Sequence, residues 1–419
     1  MLSEAEFVGD RRRVAYVSLG MLIVVNVMSQ LDRQIMSVLI GPIRTDLGLS
    51  DTESGLVIGA AFSVFYTVAG IPLGRLADLV NRRNVIVTVL TFWSLMTAAC
   101  GFARGYWTLF AARVGVGIGE AGCAPAAQSI LADSFPPERV GRALSSYQMA
   151  IPIGILVGLA GGGWLSDHFD WRQVFMIIGL PGIAVAAIAF FVIREPARNL
   201  AEPVEPLRQV VGELLALPTL RQHFLALSIQ TLTLAATASF NVEFMRRVHD
   251  LSGTQAGLTI GLITGIAGGF GTYLGGFLGD RLSIQDPRWR IGCLGIGALS
   301  SIPFTVFAYL TNDLTLSLVG LTFGVIGSYM YAGAGHAVAQ SLVSQRRRAT
   351  AAATALFAMN LFGYGGGPVV TGVISDAFGG EESIRFALAW MQAFLLWAAF
   401  HYYRATRTYR ADLAATRGA

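Results

Sequence analysis

Gly74-Arg75-Leu76-Ala77-Asp78-Leu79-Val80-Asn81-Arg82-Arg83 is a short polar break between two long apolar runs, 53–79 and 84–103. About two hundred residues later, Gly276-Phe277-Leu278-Gly279-Asp280 closes another apolar run, 254–280, in the same way. Two further echoes follow in order. Gln128-Ser129 is answered by Gln340-Ser341, and Gly163-Trp164-Leu165-Ser166-Asp167 by Gly372-Val373-Ile374-Ser375-Asp376. Three echoes at nearly constant spacing mark a parallel repeat, in which each half of the chain builds a bundle of the same kind.

A helix needs about 20 apolar residues to cross the hydrocarbon core of a bilayer. Runs of that kind occupy 14–41, 53–79, 84–103, 106–132, 140–166 and 172–193. Six more occupy 222–246, 254–280, 290–310, 314–342, 349–375 and 384–405. Between the two sets lies the longest hydrophilic break, 194–221. It carries Pro196, Pro203, Pro206 and Pro218 and an amphipathic stretch, Leu207 to Leu217, that reads as a surface helix on the membrane face. The expected architecture is an all-α membrane protein of twelve transmembrane helices in two six-helix bundles. Residues 1–193 form the first bundle, 194–221 a cytoplasmic linker, and 222–419 the second bundle with a cytoplasmic tail.

Composition agrees. Of 419 residues, 54% are hydrophobic and only 13% charged, too few charges to cover the surface of a water-soluble enzyme. The three cysteines, Cys100, Cys123 and Cys293, all lie in apolar runs, so neither a disulfide framework nor a metal site is expected. All 30 basic residues are arginine. Without lysine there is no phosphate-binding loop for ATP. The histidines are scattered, and neither a zinc-protease nor a serine-hydrolase signature occurs, so an enzyme is not expected, nor any cofactor. The net charge of +4 reflects arginine placement relative to the membrane, not nucleic-acid binding. With the N-terminus in the cytoplasm, most arginines fall on that side, which puts both termini there. A monomer in a bacterial inner or plasma membrane is expected.

Charges inside the runs are the sharpest functional signal. Each costs about 2.5–3.5 kcal/mol near the bilayer centre, so it persists only if it pairs or meets water. Asp32 and Arg33 lie in the first run, Arg113 and Glu120 in the fourth. Arg113 and Glu120 are two helical turns apart and share one face. The four charges sum to zero, so each arginine is expected to have a carboxylate partner. Protonation of Glu120 or Asp32 leaves the cluster positive and frees a guanidinium, whose planar fork suits phosphate oxygens. Proton and anion then favour the same state, which predicts symport. Glu120, near the midplane, is the first candidate for protonation and Asp32 the second; Arg33 and Arg113 are the candidate anion ligands. Tyr331, Asn360 and Tyr364 are candidates to line the C-terminal side of the cavity. Glu243 is expected to pair with Arg246 or Arg247 at the outer rim, and Phe62, Phe65 and Tyr66 to pack or to meet a lipid tail. Glycines four apart, such as Gly154 and Gly158, are expected to let helices approach closely.

The Gly74–Arg83 segment resembles the signature loop of the major facilitator superfamily, with Gly74, Asp78, Arg82 and Arg83 matching. The resemblance covers nearly the whole chain and implies alternating access, with spans one and four lining the cavity. It also implies that Asp78 and Asp280, with the nearby arginines, form a conformational latch at the cytoplasmic mouth. Leu31-Asp32-Arg33, together with Arg113-x6-Glu120-Ala121, resembles the spinster-type branch. That branch implies an amphipathic, lipid-like anion, a sphingoid phosphate or lysophospholipid, as substrate, with protons and the bilayer as the other partners. The competing expectation is a multidrug/proton antiporter for amphipathic cations, which Arg33 and Arg113 would repel.

Overall fold

The computed structural model describes residues 4–196, 207–344 and 347–418. Among the described residues every regular element is helical. Ten helices are long and apolar enough to cross a membrane, from Arg13–Leu47 to Ser383–Thr416. The other two expected runs are helical as well but differ in build. The fourth is cut into Tyr106–Glu120 and Cys123–Ser134. Pro125 is the cause: it has no N–H for the Ala121 carbonyl, and its ring would strike that carbonyl in a continuous helix. The eleventh runs through Arg348–Ala358, a π-helical turn Met359–Tyr364 and Gly365–Phe378. Its glycines, Asn360 and Tyr364 dilute its apolar character.

The described chain forms two compact units. Unit 1 comprises residues 1–48, 61–202 and 252–258, and unit 2 comprises 49–60, 203–251 and 259–419. Two helices are therefore shared. Asp51–Gly55 and the π turn Leu56–Ala60 belong to unit 2, and the helix continues into unit 1 as Ala61–Leu79. The start of Gly253–Leu262 belongs to unit 1, and that helix passes through the π turn Ile263–Ala267 inside unit 2.

The echo read in the sequence has a physical counterpart at these helix starts. Asp167 accepts the backbone N–H groups of Gly253 and Thr254, both at 2.8 Å, and the Thr254 hydroxyl at 2.6 Å. Asp376 does the same for Asp51 and Thr52, both N–H groups at 2.9 Å and the Thr52 hydroxyl at 2.5 Å. A carboxylate on the free N–H groups of a helix N-terminus also meets the positive end of its dipole.

In unit 1 the elements that carry the candidate site are α1 (Glu4–Leu47), α2 (Ala61–Leu79), α3 (Arg82–Cys100), α4 (Tyr106–Glu120) and α5 (Cys123–Ser134). Asn81 caps α3 by accepting the Asn84 N–H at 3.0 Å. Thr108 Oγ1 accepts the N–H groups of Arg104 and Gly105 and so fixes the start of α4. The core between them is apolar, with Leu22, Leu90, Trp93, Val116 and Ile130 fully buried. Close approach is set by glycine. A Cβ on Gly117 would lie 2.5 Å from the Phe62 carbonyl oxygen, so α4 can touch α2 there only without a side chain. Likewise Gly154 and Gly158 press against Gln30 and Gln34 of α1, where added Cβ atoms would meet theirs at 2.5 and 2.8 Å.

The linker helix Leu207–Ala216 packs into unit 2, with Val210 and Leu214 inside the apolar core. Its polar face carries Glu213, which pairs with Arg347. Hydrogen bonds from Gln209 and the Arg347 guanidinium hold the Glu213 carboxyl below the ordinary glutamate value.

Gly117→Val should lower stability by about 1–3 kcal/mol, the usual cost of overpacking. Gly20→Ala, where nothing lies within 4 Å, should raise it by up to about 1 kcal/mol through helix propensity. Denaturant unfolding in detergent reads both; equal stability of Gly117→Val and the parent would contradict the contact.

Candidate functional site

The intramembrane charges of the first and fourth runs converge within unit 1. Glu120, the last residue of α4, is 2% exposed. Its Oε2 accepts the Ser29 hydroxyl at 2.8 Å and the Arg33 Nε at 2.9 Å, both from α1, while Oε1 has no hydrogen-bond partner among the described residues.

Arg33 is held from a second side. Its guanidinium carbon lies 4.9 Å from the centroid of the Phe62 ring and 4.6 Å from that of Tyr66. The two rings, one helical turn apart on α2, stack with centroids 5.5 Å apart. Arg113 is 2% exposed, and its guanidinium carbon sits 5.3 Å from the Phe62 ring centroid. The Phe62 ring is thus shared by two cations, and such contacts strengthen as water is excluded.

The expected pairing of each arginine with a carboxylate is corrected here. Arg33 takes Glu120, but Arg113 has no ion pair within 4.0 Å among the described residues, and its Nε is without a hydrogen-bond partner. Asp32, 4% exposed, accepts the Thr97 hydroxyl at 3.3 Å and interacts with the Trp93 indole and the Arg113 charge at longer range, while its Oδ1 has no hydrogen bond among the described residues. The Phe62 ring lies against Arg113, and Asp32 acts on that charge without forming an ion pair. Phe62 and Tyr66 were read as packing or lipid-tail residues; two aromatics at helical spacing beside intramembrane arginines were the available signal. Ser29 and Thr97 carried none, since hydroxyls are common in membrane helices.

The remaining candidates sit elsewhere in the two units. Tyr331 is buried in the apolar core of unit 2. Tyr364 is 39% exposed and near enough to Tyr331 to interact electrostatically. Asn360 is exposed and donates back to the Leu356 carbonyl at 2.9 Å. Glu243 pairs with Arg247 at 2.6 Å, but in a buried cluster and not at an exposed rim. Arg247 there also grips Asp51 with two nitrogens, at 2.8 and 3.0 Å.

Of the latch candidates, Gly74 faces open space, and the side chain of Asp78 lies outside the described ones. Arg82 is 2% exposed and bonds Ser129 at 2.8 Å, Asp133 at 2.5 Å and Glu195 at 2.8 Å. Arg83 donates its N–H to Glu195 and stacks its guanidinium on Phe190 at 4.6 Å. Asp280 is exposed, with no ion pair among the described residues. Asp133 and Glu195 were not singled out from the sequence, because charges at the ends of apolar runs are ordinary.

Comparison with known proteins follows the same lines. A family model described as Major Facilitator Superfamily matches residues 22–368. An MFS-type efflux pump of Mycolicibacterium smegmatis is 33% identical over 415 residues, covering 97% of this chain and 95% of that protein. Protein spinster homolog 1 of Homo sapiens is 27% identical over 391 residues, covering 85% and 72%. A crystal structure of a bacterial homolog to the human lysosomal transporter Spinster, inward-facing and unoccupied, superposes with a TM-score of 0.87. It is 31% identical and covers 95% of this chain and 98% of that one. The chain belongs to the major facilitator superfamily of membrane transporters and is of the spinster type.

Proposed function

We propose that this transporter is a proton-coupled secondary carrier of an amphipathic, lipid-like anion, working by alternating access with both termini in the cytoplasm. The observation that carries the reading is Arg113, a buried guanidinium over the Phe62 ring that interacts with the Asp32 charge without an ion pair to it among the described residues, its Nε free of hydrogen bonds. A buried cation held by a ring and by a carboxylate at longer range is costly, and a phosphate on the substrate would supply a direct partner. The apolar part of the substrate would add burial without needing further polar groups.

Proton coupling rests on the Arg33–Glu120 pair. Protonating Glu120 removes the charge that holds Arg33, and the freed guanidinium can turn to the same anion. Glu120 keeps one oxygen free of hydrogen bonds, so a proton has a place to arrive without first displacing Ser29 or Arg33. Asp32 is a second acceptor of the same kind, hydrogen-bonded by Thr97 and with its other oxygen free of hydrogen bonds among the described residues. Tyr331, Asn360 and Tyr364, in unit 2, are proposed as further substrate ligands. Gly74, Asp78, Arg82, Arg83 and Asp280 are proposed as the latch.

A second reading, export of amphipathic cations against protons, is favoured by the Mycolicibacterium smegmatis relative named as an efflux pump. Arg33 and Arg113 oppose it, since a cationic drug would add to their charge.

The two readings separate in liposomes loaded with a pH-sensitive dye. On the first, lysophospholipid or sphingoid phosphate drives proton entry in the parent, and Glu120→Gln abolishes that proton signal. Glu120→Gln with intact proton coupling would sink the assignment, and proton release driven by a cationic drug would favour the second reading. Arg113→Gln should weaken binding of the anionic lipid about 10- to 100-fold, the loss of a charge-assisted contact of about 1.5–3 kcal/mol. Arg113→Lys should recover only part of it, because a point charge lacks the planar fork. Unchanged affinity in Arg113→Gln by direct binding measurement would remove the arginine from the site.

A further inference from the structure

Unit 2 carries a groove that none of the residues above uses. It lies between α6 (Trp289–Leu310) and α7 (Ala393–Gly418) and encloses about 370 Å³. Its floor exists because two side chains are missing. A Cβ on Gly295 would come within 3.3 Å of the Tyr402 Cβ, and one on Gly292 within 3.2 Å of the Trp289 ring. Ile296 and Leu299, both about half exposed, continue the floor as an apolar trough.

One end of the trough is polar. Asp286 accepts the backbone N–H of Arg288 at 2.9 Å and the Arg410 guanidinium at 2.9 and 3.1 Å, so the loop before α6 is tied to α7. The Arg288 N–H and the Arg410 charge hold the Asp286 carboxyl below the ordinary aspartate value, which keeps the pair ionised at neutral pH. Arg288 is exposed, and its guanidinium has no hydrogen bond or ion pair among the described residues. Arg407 lies 4.9 Å from the centroid of the Tyr403 ring and donates to its hydroxyl at 2.8 Å. Trp289 and Tyr403 are exposed at this end, as aromatic residues are at the boundary between hydrocarbon and headgroups.

We propose that this groove binds an anionic phospholipid of the bilayer, with one acyl chain in the trough and the phosphate against Arg288 and Arg407. The argument is charge complementarity at a fixed depth. Asp286 and Arg288 line the groove, and Arg407 and Arg410 reach it through Tyr403 and Asp286, so three arginines and one aspartate leave this end of the apolar trough with an excess of two positive charges. Basic pockets between membrane helices recruit anionic headgroups in this way, and the guanidinium fork fits phosphate oxygens. A zwitterionic lipid fits the trough equally well but brings its own cation to a cationic mouth. The site is independent of the proposed transport chemistry, since it shares no residue with the Arg33–Glu120–Arg113 group.

The test is retention of lipid by the full chain in detergent, read by native mass spectrometry after adding phosphatidylglycerol, phosphatidylcholine or glycerol phosphate. Phosphatidylglycerol should be retained in preference to phosphatidylcholine, and glycerol phosphate alone should not displace it. Arg288→Gln combined with Arg407→Gln should cut retention about tenfold. Ile296→Trp, at a half-exposed position, should fill the trough and do the same without touching the charges. Arg113→Gln should leave retention unchanged. Equal retention of the two lipids, full displacement by glycerol phosphate, or unaltered retention in both groove variants would overturn the proposal. Loss of retention in Arg113→Gln alone would also overturn it, by moving the bound lipid to the proposed transport site.

Discussion

A carboxylate taken out of water must be given other donors, and the site in unit 1 is organised around that demand at Glu120. Ser29 and Arg33, both from α1, supply two of them to a single oxygen. This ties the first helix to the fourth at membrane depth and leaves the Arg33 guanidinium over Phe62 and Tyr66. Once Phe62 serves Arg33, the same ring is available to Arg113. One ion pair thus sets the positions of two aromatic rings and a second arginine. Arg113 is the member without a direct ion pair among the described residues, and a buried charge held at longer range is where an external counter-ion gains most.

Backbone chemistry positions that pair. Pro125 ends α4 at Glu120, and the glycine at position 117 lets α4 lie against the Phe62 backbone. Neither residue touches the charges. Their effect is geometric: Pro125 breaks the hydrogen-bond ladder just after Glu120, and any side chain at 117 would collide with the Phe62 backbone, whose ring lies against both arginines. The same division holds at the other end of unit 1, where Asn81 starts α3 and so presents Arg82 to Asp133 and Glu195.

Much of this was legible in the sequence because charge is rare in apolar runs. Asp32, Arg33, Arg113 and Glu120 stood out for that reason alone, and the fold followed from run lengths and from echoes such as Asp167 and Asp376. Pairing was less legible. Asp32 finds Thr97 and Arg113 finds a ring, because aromatic faces and hydroxyls compete with carboxylates for buried charge and leave no mark in an apolar stretch. The interruption of the fourth run was also missed: Pro125 was in plain view, yet hydropathy does not register a broken hydrogen-bond ladder. The buried partnership of Asp51 with Arg247 joins residues far apart in the chain, which no local pattern reveals.

The π turn at Leu56–Ala60 lies where one helix passes from unit 2 to unit 1. A π turn carries one residue more than an α turn, and one residue is about 100° of rotation around the axis. The face that Asp51–Gly55 buries, with Asp51, Ser54 and Gly55 inward, and the face used by Ala61–Leu79 are therefore out of phase. A helix of strict α register would have to present one stripe to two cores. The added residue lets each core keep its own stripe, so substitutions that suit one need not compromise the other.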